Sequence, residues 1–178
     1  MKIQVGDKLD PILLPRLDGA SFTTESLIGK RHLITFYRFA SCPLCNLRIH
    51  DLIERQKELG EKFEIVAIFH SSPQNLHTYT NRHKAPFPIL ADESSSYYKK
   101  YDIERSTLAF LKSQITRGPK IWQAIMKGFI PYRIKGSMTI LPVDILVNEN
   151  GVVEKVKYGQ DIGDHLSFEE IKNFAQSR

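Results

Sequence analysis

The chain has 178 residues, of which 42% are hydrophobic and 25% are charged, a composition that is ordinary for a globular protein and argues against a disordered one. A single domain over residues 1–178 can bury a sizeable core at this length, and the chain has no repeats or low-complexity tracts. No apolar run is long enough to span a bilayer, so we expect no membrane partner.

The first elements predict a small hairpin followed by a buried strand. Short strands at residues 12–14 and 21–23 flank the turn residues Asp18 and Gly19. Residues 32–38 then form a nearly continuous apolar run, which is typical of a strand covered on both faces.

A parallel unit follows this strand. Apolar residues at positions 49, 52, 53 and 59 repeat with helical spacing, and Gly60 predicts the end of that helix. Residues 63–69 predict a second buried strand. Strand, helix and strand in this order predict two parallel strands joined by a right-handed crossover, and therefore an α/β fold.

The later part of the chain predicts further helices and a second hairpin. We predict a helix from the Ser71-Ser72-Pro73 cap to about residue 84, a strand at 86–90, a helix capped by Asp92, a helical piece at 121–126, strands at 141–147 and 152–158, and a final helix capped by Ser167. The pattern is least informative between residues 103 and 136.

Both cysteines lie at the junction of the apolar strand and the first long helix, in the sequence Cys42-Pro43-Leu44-Cys45. Two cysteines with two residues between them in this position are typical of a redox pair, and two cysteines do not make a disulfide scaffold. The first residues lack the apolar core of a signal peptide. We therefore expect a cytoplasmic protein whose thiols are kept reduced.

The spacing predicts different tasks for the two thiols. Cys42 is expected at the helix N-cap, with Pro43 at the first helical position, where free N–H groups and the helix dipole favour a thiolate. Arg38 is near in sequence and can add a positive charge. Cys45 lies one turn into the helix, where we expect it to be less exposed, and it can attack a sulfenic acid or mixed disulfide formed at Cys42. The prediction is a nucleophilic Cys42 and a resolving Cys45; two inert buried thiols are the alternative.

A zinc site is the competing use of a Cys-x-x-Cys pair. Such a site needs two further ligands, but the chain has no second cysteine pair and its six histidines are scattered. We therefore expect neither a metal nor another cofactor.

Positive charge is concentrated in residues 104–136, which we call the basic segment. No acidic residue occurs between Glu104 and Asp144, and the cations there include Lys112, Arg117, Lys120, Lys127, Arg133 and Lys135. A solvated basic surface is the simplest interpretation. The alternative function is a redox-sensing or binding module that uses residues 112–135 to contact an acidic partner, although nucleic acid is not expected without a stacking motif or recognition helix. Ile121, Trp122 and Phe129 can belong to the core or to a homodimer face.

Several stretches together resemble one known family. They are Val5-Gly6-Asp7, Phe36-Tyr37-Arg38, the run from Cys42 to Leu47, the run from Pro86 to Asp92, and the run from Leu141 to Asn148. They resemble the peroxiredoxin-like AhpC/TSA branch of the thioredoxin-like superfamily, of which this chain looks like an atypical member with a Cys-Pro-x-Cys motif. The resemblance implies a three-layer α/β/α fold with a mixed central sheet, an N-terminal hairpin and a helical insertion at about residues 104–136.

The resemblance also implies an activity and two departures from it. Relatives of this kind reduce peroxides or disulfides and are recycled by an external reductant of the thioredoxin or glutathione type. Phe39 stands where peroxiredoxins have a threonine before the nucleophile, and no arginine opens the late strand. The carboxylate that thioredoxins bury in the strand before their motif is also missing from residues 32–38.

The implied fold brings distant residues towards Cys42. Pro142 opens the late strand and takes the family's cis-proline position, and it should border the cysteines together with the loop at residues 158–165. Asp144 and His165 are candidates for proton transfer at this rim. The alternatives are an Asp144 paired with a lysine and a loop that only caps the last helix.

Overall fold

Five strands form a mixed sheet through the middle of the protein in the computed structural model, which describes residues 1–80 and 83–177. The described residues contain seven strands, of which the first two lie outside this sheet: β1 (Leu13–Pro15), β2 (Ser21–Thr23), β3 (Arg31–Tyr37), β4 (Phe63–Phe69), β5 (Ile89–Ala91), β6 (Val143–Val147) and β7 (Val153–Tyr158). The helices are α1 (Pro43–Arg55), α2 (Pro73–Thr80), α3 (Ser96–Lys100), α4 (Thr107–Thr116), α5 (Gly118–Met126) and α6 (Phe168–Gln176). The central sheet has the order β5-β4-β3-β6-β7, and β1 pairs with β2 in a separate hairpin.

The two faces of the sheet are covered by different elements. β3 pairs in parallel with β4 and antiparallel with β6, and every residue of β3 after Arg31 is buried. Leu33 and Tyr37 pack with α1, α2 and α6 on one face, whereas Ile34 and Phe36 pack with α3 and the N-terminal hairpin on the other. This arrangement confirms the predicted three-layer α/β fold with a mixed sheet.

The helix that carries the cysteines begins and ends as its sequence predicts. Pro43 occupies the first helical turn, and Ile49 and Leu52 are completely buried against the sheet. A short 3-10 turn, Gln56–Leu59, follows α1, and Gly60 then takes a φ of 85°, which favours glycine. The positive φ redirects the chain into β4 and completes the parallel unit.

The final helix also confirms its predicted cap. The side chain of Ser167 accepts a hydrogen bond from the backbone N–H of Glu170, and the Glu170 side chain accepts one from the backbone of Ser167. These reciprocal bonds form a capping box, which satisfies two N–H groups that the helix itself leaves free.

Two features of the backbone differ from the sequence predictions. The peptide bond before Pro142 is trans, so the expectation of a cis-proline is wrong. The backbone is hydrogen-bonded on both sides of this trans bond: Leu141 N donates to Glu104 O, and Pro142 O accepts from Gly159 N. The helix predicted to reach about residue 84 is observed as α2, ending at Thr80, and its predicted continuation through residues 81 and 82 lies outside the described residues.

No separate helix was predicted over residues 107–116, where α4 lies within the expected helical insertion, and the residues after it divide between core and surface. Ile121 packs against the core and Phe129 is buried, whereas Trp122 is exposed. In the described residues, no helix has both the length and the apolar character needed to cross a bilayer. The insertion boundaries and a homodimer stay predictions.

Removing the Tyr98 hydroxyl tests how α3 is attached to the sheet. This buried hydroxyl lies within hydrogen-bonding distance of the carbonyl oxygens of Tyr37 and Ile68. Tyr98→Phe should lower the free energy of unfolding by about 1–3 kcal/mol, because it leaves a buried carbonyl without its donor. Urea denaturation measures the change. Tyr97→Phe is the control and should cost less, since its partner Leu13 is exposed to water.

Candidate active site

Cys42 is the N-cap residue of α1, as its position before Pro43 predicts. Its Sγ accepts a hydrogen bond from the backbone N–H of Cys45 at 3.2 Å. Its carbonyl oxygen accepts the bond from Asn46 N at 3.0 Å, which starts the helical ladder. The sulfur therefore lies at the positive end of the α1 dipole, where a thiolate is stabilised.

Arg38 adds a full positive charge at the same sulfur. The residue directly follows β3, and its Nη2 lies 2.9 Å from Cys42 Sγ. The other terminal nitrogen, Nη1, donates to the carbonyl oxygen of Met138 at 2.9 Å. Arg38 is only 3% exposed, so the guanidinium is fixed between the cysteine and a distant loop. The guanidinium at the sulfur thus comes from the end of β3 and not from the late strand.

The two thiols differ in acidity because of these contacts. Burial by itself would raise the pKa of Cys42, but the hydrogen bond from Cys45 and the charge of Arg38 outweigh burial and lower the pKa to about 6. Burial and the neighbouring Cys42 sulfur both raise the pKa of Cys45. The thiolate is therefore favoured at Cys42 over Cys45. The division into a nucleophile and a resolving cysteine stays a prediction.

Both sulfurs are covered, and this corrects the predicted order of exposure. Cys42 is 0% and Cys45 is 3% exposed, so the expectation that Cys45 is the less accessible of the two is wrong. The cover is the loop at residues 133–138. Ser41 Oγ donates to the carbonyl oxygen of Arg133 at 2.8 Å, and Gly136 lies so close to Phe39 that a Cβ atom there would be 3.0 Å from the Phe39 Cβ. The loop thus packs directly against the residues that precede Cys42.

Asn46 is a structural part of the site that the sequence reasoning did not single out. Its side-chain amide nitrogen donates to the carbonyl oxygens of Ala40 at 2.8 Å and Cys42 at 2.9 Å. Its amide oxygen contacts His83 Nε2 at 2.8 Å. The sequence feature that could have identified Asn46 is a polar amide among the buried residues at the start of α1. Its hydrogen bonds fix the helical turn that carries Cys42.

Asp144 and His165 form a buried pair on the sheet. His165 Nδ1 lies 3.0 Å from an Asp144 carboxylate oxygen, and Thr35 Oγ1 donates to the same carboxylate at 2.6 Å from the neighbouring strand. Burial alone would raise the pKa of Asp144, but the His165 charge and the Thr35 hydrogen bond contribute to lowering it to about 2. The partner is thus a histidine and not a lysine.

The rim residues lie close to helix α1 but do not bind the sulfur. Within residues 1–80 and 83–177, neither Asp144 nor His165 hydrogen-bonds to Cys42 Sγ, whose partners are Arg38 and Cys45. Pro142 contacts Gly159 at the start of the loop instead. A cleft of about 330 Å³ lies between this loop, α1 and α5, and its lining includes Leu44, Arg48 and His165. The roles of Pro142, Asp144 and His165 in catalysis stay predictions.

No metal centre is apparent at the pair. In the described ranges, no three histidine, cysteine or acidic side chains come together in a way that holds a metal ion.

The chain resembles known proteins in both sequence and structure. A family model described as the AhpC/TSA family matches residues 5–156, which include the cysteine pair and most of the β6–β7 hairpin. A Mycobacterium tuberculosis protein, provisionally named a peroxiredoxin, is 27% identical over 92 residues, which are 51% of this chain and 59% of that relative. The chain thus spans less than two thirds of the length of the curated relatives that it matches.

The structural neighbours share the fold over almost the whole chain. Peroxidoxin BcpB from Mycobacterium tuberculosis has a TM-score of 0.71 at 14% identity, covering 98% of this chain and 97% of its own. A Chlorobium tepidum protein, provisionally described as the thiol:disulfide interchange protein DsbE, has a TM-score of 0.65 at 15% identity, covering 98% and 99%. At these identities the likeness shows the thioredoxin-like fold.

Arg38→Met tests the source of the acidity of Cys42. Without the guanidinium, the pKa of Cys42 should rise from about 6 towards its ordinary value of 9.0. The rate of alkylation of Cys42 by iodoacetamide, followed against pH by mass spectrometry, measures the pKa. Arg133→Met is the control, because Arg133 contacts Ser41 through its carbonyl oxygen and its side chain is exposed. An unchanged profile in Arg38→Met would rule out the assigned contact.

The buried carboxylate predicts a feature of acid unfolding. Because the pKa of Asp144 is lowered from 3.8 to about 2, its ionised form stabilises the folded state above about pH 4, and this contribution is lost as the pH falls towards 2. The loss should amount to about 2 kcal/mol. Asp144→Asn should flatten this part of the pH dependence of unfolding in urea. The same acid slope in the variant and the wild type would contradict the assignment.

Proposed function

Because the chain belongs to the AhpC/TSA family, we propose that it is a thiol-dependent oxidoreductase that reduces peroxides, with Cys42 as the nucleophile and Cys45 as the resolving cysteine. One observation carries the proposal: Cys42 Sγ lies at the N-terminus of α1 and 2.9 Å from Arg38 Nη2, with Cys45 one turn away. These contacts favour the thiolate, which is the reactive form of a cysteine.

The first step transfers one oxygen atom to the sulfur. The Cys42 thiolate attacks the terminal oxygen of a hydroperoxide, the O–O bond breaks, and the leaving alkoxide or hydroxide takes up a proton to become an alcohol or water. Cys42 becomes a sulfenic acid. Arg38 faces the reacting sulfur and can stabilise negative charge that develops on the oxygens.

The second step closes a disulfide and returns the enzyme to its reduced form. The Cys45 sulfur attacks Cys42, an S–S bond forms, the S–O bond breaks, and hydroxide leaves as water with the Cys45 proton. An external reductant of the thioredoxin or glutathione type then transfers two electrons and two protons to the pair. The cytoplasm predicted from the sequence is a compartment that supplies such reductants.

The cleft beside α1 supports a role for the Asp144–His165 pair in these proton movements. His165 lines that cleft, and its Nδ1 faces a carboxylate that stays ionised at neutral pH. A histidine fixed in this way can take a proton from, or give one to, a group entering the cleft. Pro142 has a positioning role in this scheme, since its carbonyl oxygen holds Gly159 at the start of the His165 loop.

Disulfide reduction is the second candidate, and one observation favours it. Phe39 stands at the position of the family's threonine and supplies no hydroxyl to align a peroxide. In this reaction the Cys42 thiolate attacks a substrate disulfide and releases one thiol, and Cys45 then displaces the second thiol while the S–S bond to Cys42 forms. A binding module without redox chemistry is not favoured, because it does not explain why Arg38 and the N-terminus of α1 stabilise a thiolate at Cys42.

Serine variants of the two cysteines test the mechanism. Cys42→Ser should abolish turnover of hydrogen peroxide, cumene hydroperoxide and insulin disulfide, because the nucleophile is lost. Cys45→Ser should keep a single turnover with peroxide and accumulate a sulfenic acid at Cys42, which dimedone traps for mass spectrometry. Wild-type protein oxidised mildly should instead show a Cys42–Cys45 disulfide.

The substrate panel separates the two candidate activities. Faster steady-state turnover of peroxides than of insulin disulfide would support the peroxidase, and the reverse order would support the disulfide reductase. Full turnover of all three substrates by Cys42→Ser would eliminate both mechanisms.

A further inference from the structure

Large apolar side chains are exposed mainly in one part of the surface. Fourteen large hydrophobic residues are exposed in the described part of the chain, and nine of them belong to the basic segment. These nine are Leu108, Leu111, Ile115, Trp122, Ile125, Met126, Ile130, Tyr132 and Ile134. Single exposed apolar residues are normal on proteins, whereas a concentration of them marks a surface that binds a partner.

Helix α4 exposes three large apolar side chains to solvent. Leu108, Leu111 and Ile115 follow the spacing that places residues on one side of a helix, and they are 80%, 56% and 84% exposed. On its inward side Ser113 is buried and Phe110 is partly buried against the core. The leucine and isoleucine side chains of a surface helix ordinarily pack inward as well, whereas these three are exposed.

Helix α5 follows directly and shows the same arrangement. Trp122, Ile125 and Met126 share one side of the helix, and all three are exposed. On the inward side, Ala124 is buried and Ile121 packs against the core. Trp122 is the only tryptophan of the chain and is 65% exposed. Two consecutive helices therefore present large apolar side chains to solvent.

The charged residues of these two helices and of the chain that follows them, up to residue 143, are all positive. Residues 105–143 contain no aspartate or glutamate. The exposed cations of this stretch include Lys112, Lys120, Lys127, Arg133 and Lys135. Among the residues that the structure describes, none of these five forms an ion pair, whereas the partly buried Arg117 pairs with Asp161. The surface thus combines unpaired positive charge with exposed apolar side chains. A partner that matches both must offer negative groups to the cations and an apolar surface to the hydrophobic side chains.

This combination discriminates between partners. A second copy of the chain would bring identical cations against these, and like charges at an interface oppose association. Nucleic acid would satisfy the cations but would leave the leucine and isoleucine side chains of α4 without an apolar partner. An anionic bilayer offers negative headgroups to the lysines and an acyl boundary to the apolar side chains, as for other interfacial amphipathic helices.

We propose that α4 and α5 dock the protein on an anionic lipid surface, with both helices lying in the plane of the interface. The expectation of no membrane partner came from the lack of an apolar run long enough to span a bilayer, and surface association does not require one. The proposal is independent of the redox chemistry. Vesicle binding tests the lipid surface and substrate turnover tests the cysteines, so one can fail while the other holds.

Vesicle binding tests the proposal directly. The protein is titrated with vesicles of equal parts phosphatidylcholine and phosphatidylglycerol at low salt, and it should sediment with them. The emission of Trp122 should shift to the blue as the indole leaves water. Vesicles of phosphatidylcholine alone should bind much more weakly, and salt should release the protein, because the Debye length falls to about 3 Å at 1 M.

Paired variants with matched controls separate the two contributions. Lys120→Gln with Lys127→Gln should weaken binding about 25-fold, since each basic residue near the surface contributes about fivefold. Lys57→Gln with Lys62→Gln changes two exposed lysines elsewhere and should have no comparable effect. Leu111→Ser with Ile115→Ser should weaken binding at least about tenfold, whereas Ile28→Ser, at an exposed site outside the segment, should not. Thermal unfolding verifies that each variant is folded.

Several outcomes would overturn the proposal. They are no sedimentation with the mixed vesicles at low salt, equal binding to neutral vesicles, and equal losses in the control variants. A concentration-dependent dimer that Leu111→Ser with Ile115→Ser abolishes, in a protein that ignores vesicles, would identify the surface as an interface between copies. Binding to polyglutamate without binding to vesicles would identify an acidic protein partner and would equally refute the lipid assignment.

Discussion

The contact between Arg38 and Cys42 is the interaction on which the rest of the site depends. A guanidinium that is 3% exposed and a thiolate that is completely buried would each be costly to remove from water alone. Together they neutralise each other, and the N-terminus of α1 adds a further hydrogen bond to the sulfur. The end of β3, the start of α1 and the loop that contains Met138 must therefore all be in place for the reactive cysteine to exist in its charged form.

The central sheet provides the rigidity that this contact needs. β3 lies between β4 and β6, so the residues that lead into Arg38 are held from both sides. The pairing of Thr35 with Asp144 across β3 and β6 also places a buried carboxylate on the sheet face that packs against α1. β3 itself carries no acid, and the buried carboxylate of this face belongs to β6, where His165 and the backbone of Leu166 hydrogen-bond to it.

Local chemistry in the sequence was enough to predict most elements and the N-cap position of Cys42. The caps of α1 and α6, the glycine after α1 and the strand patterns act over a few positions, and the structure agrees with them. The cover over Cys42 could not be predicted, because Ser41 and Arg133 are 92 positions apart and meet only through the completed fold. A separate helix at α4 was not predicted for a different reason: periodicity is read on the assumption that apolar residues face the core, and Leu108 and Ile115 face solvent.

The contacts around the Cys42 sulfur also bear on the reduction potential of the pair. The hydrogen bonds from Arg38 and from the Cys45 N–H are made to a thiolate and stabilise the dithiol form of the protein. A disulfide carries no such charge, and it leaves the guanidinium buried beside a neutral sulfur. Every interaction that favours the thiolate therefore shifts the equilibrium of the pair towards the dithiol. The reduction potential of the pair is raised, so the disulfide form accepts electrons more easily than it would without these contacts.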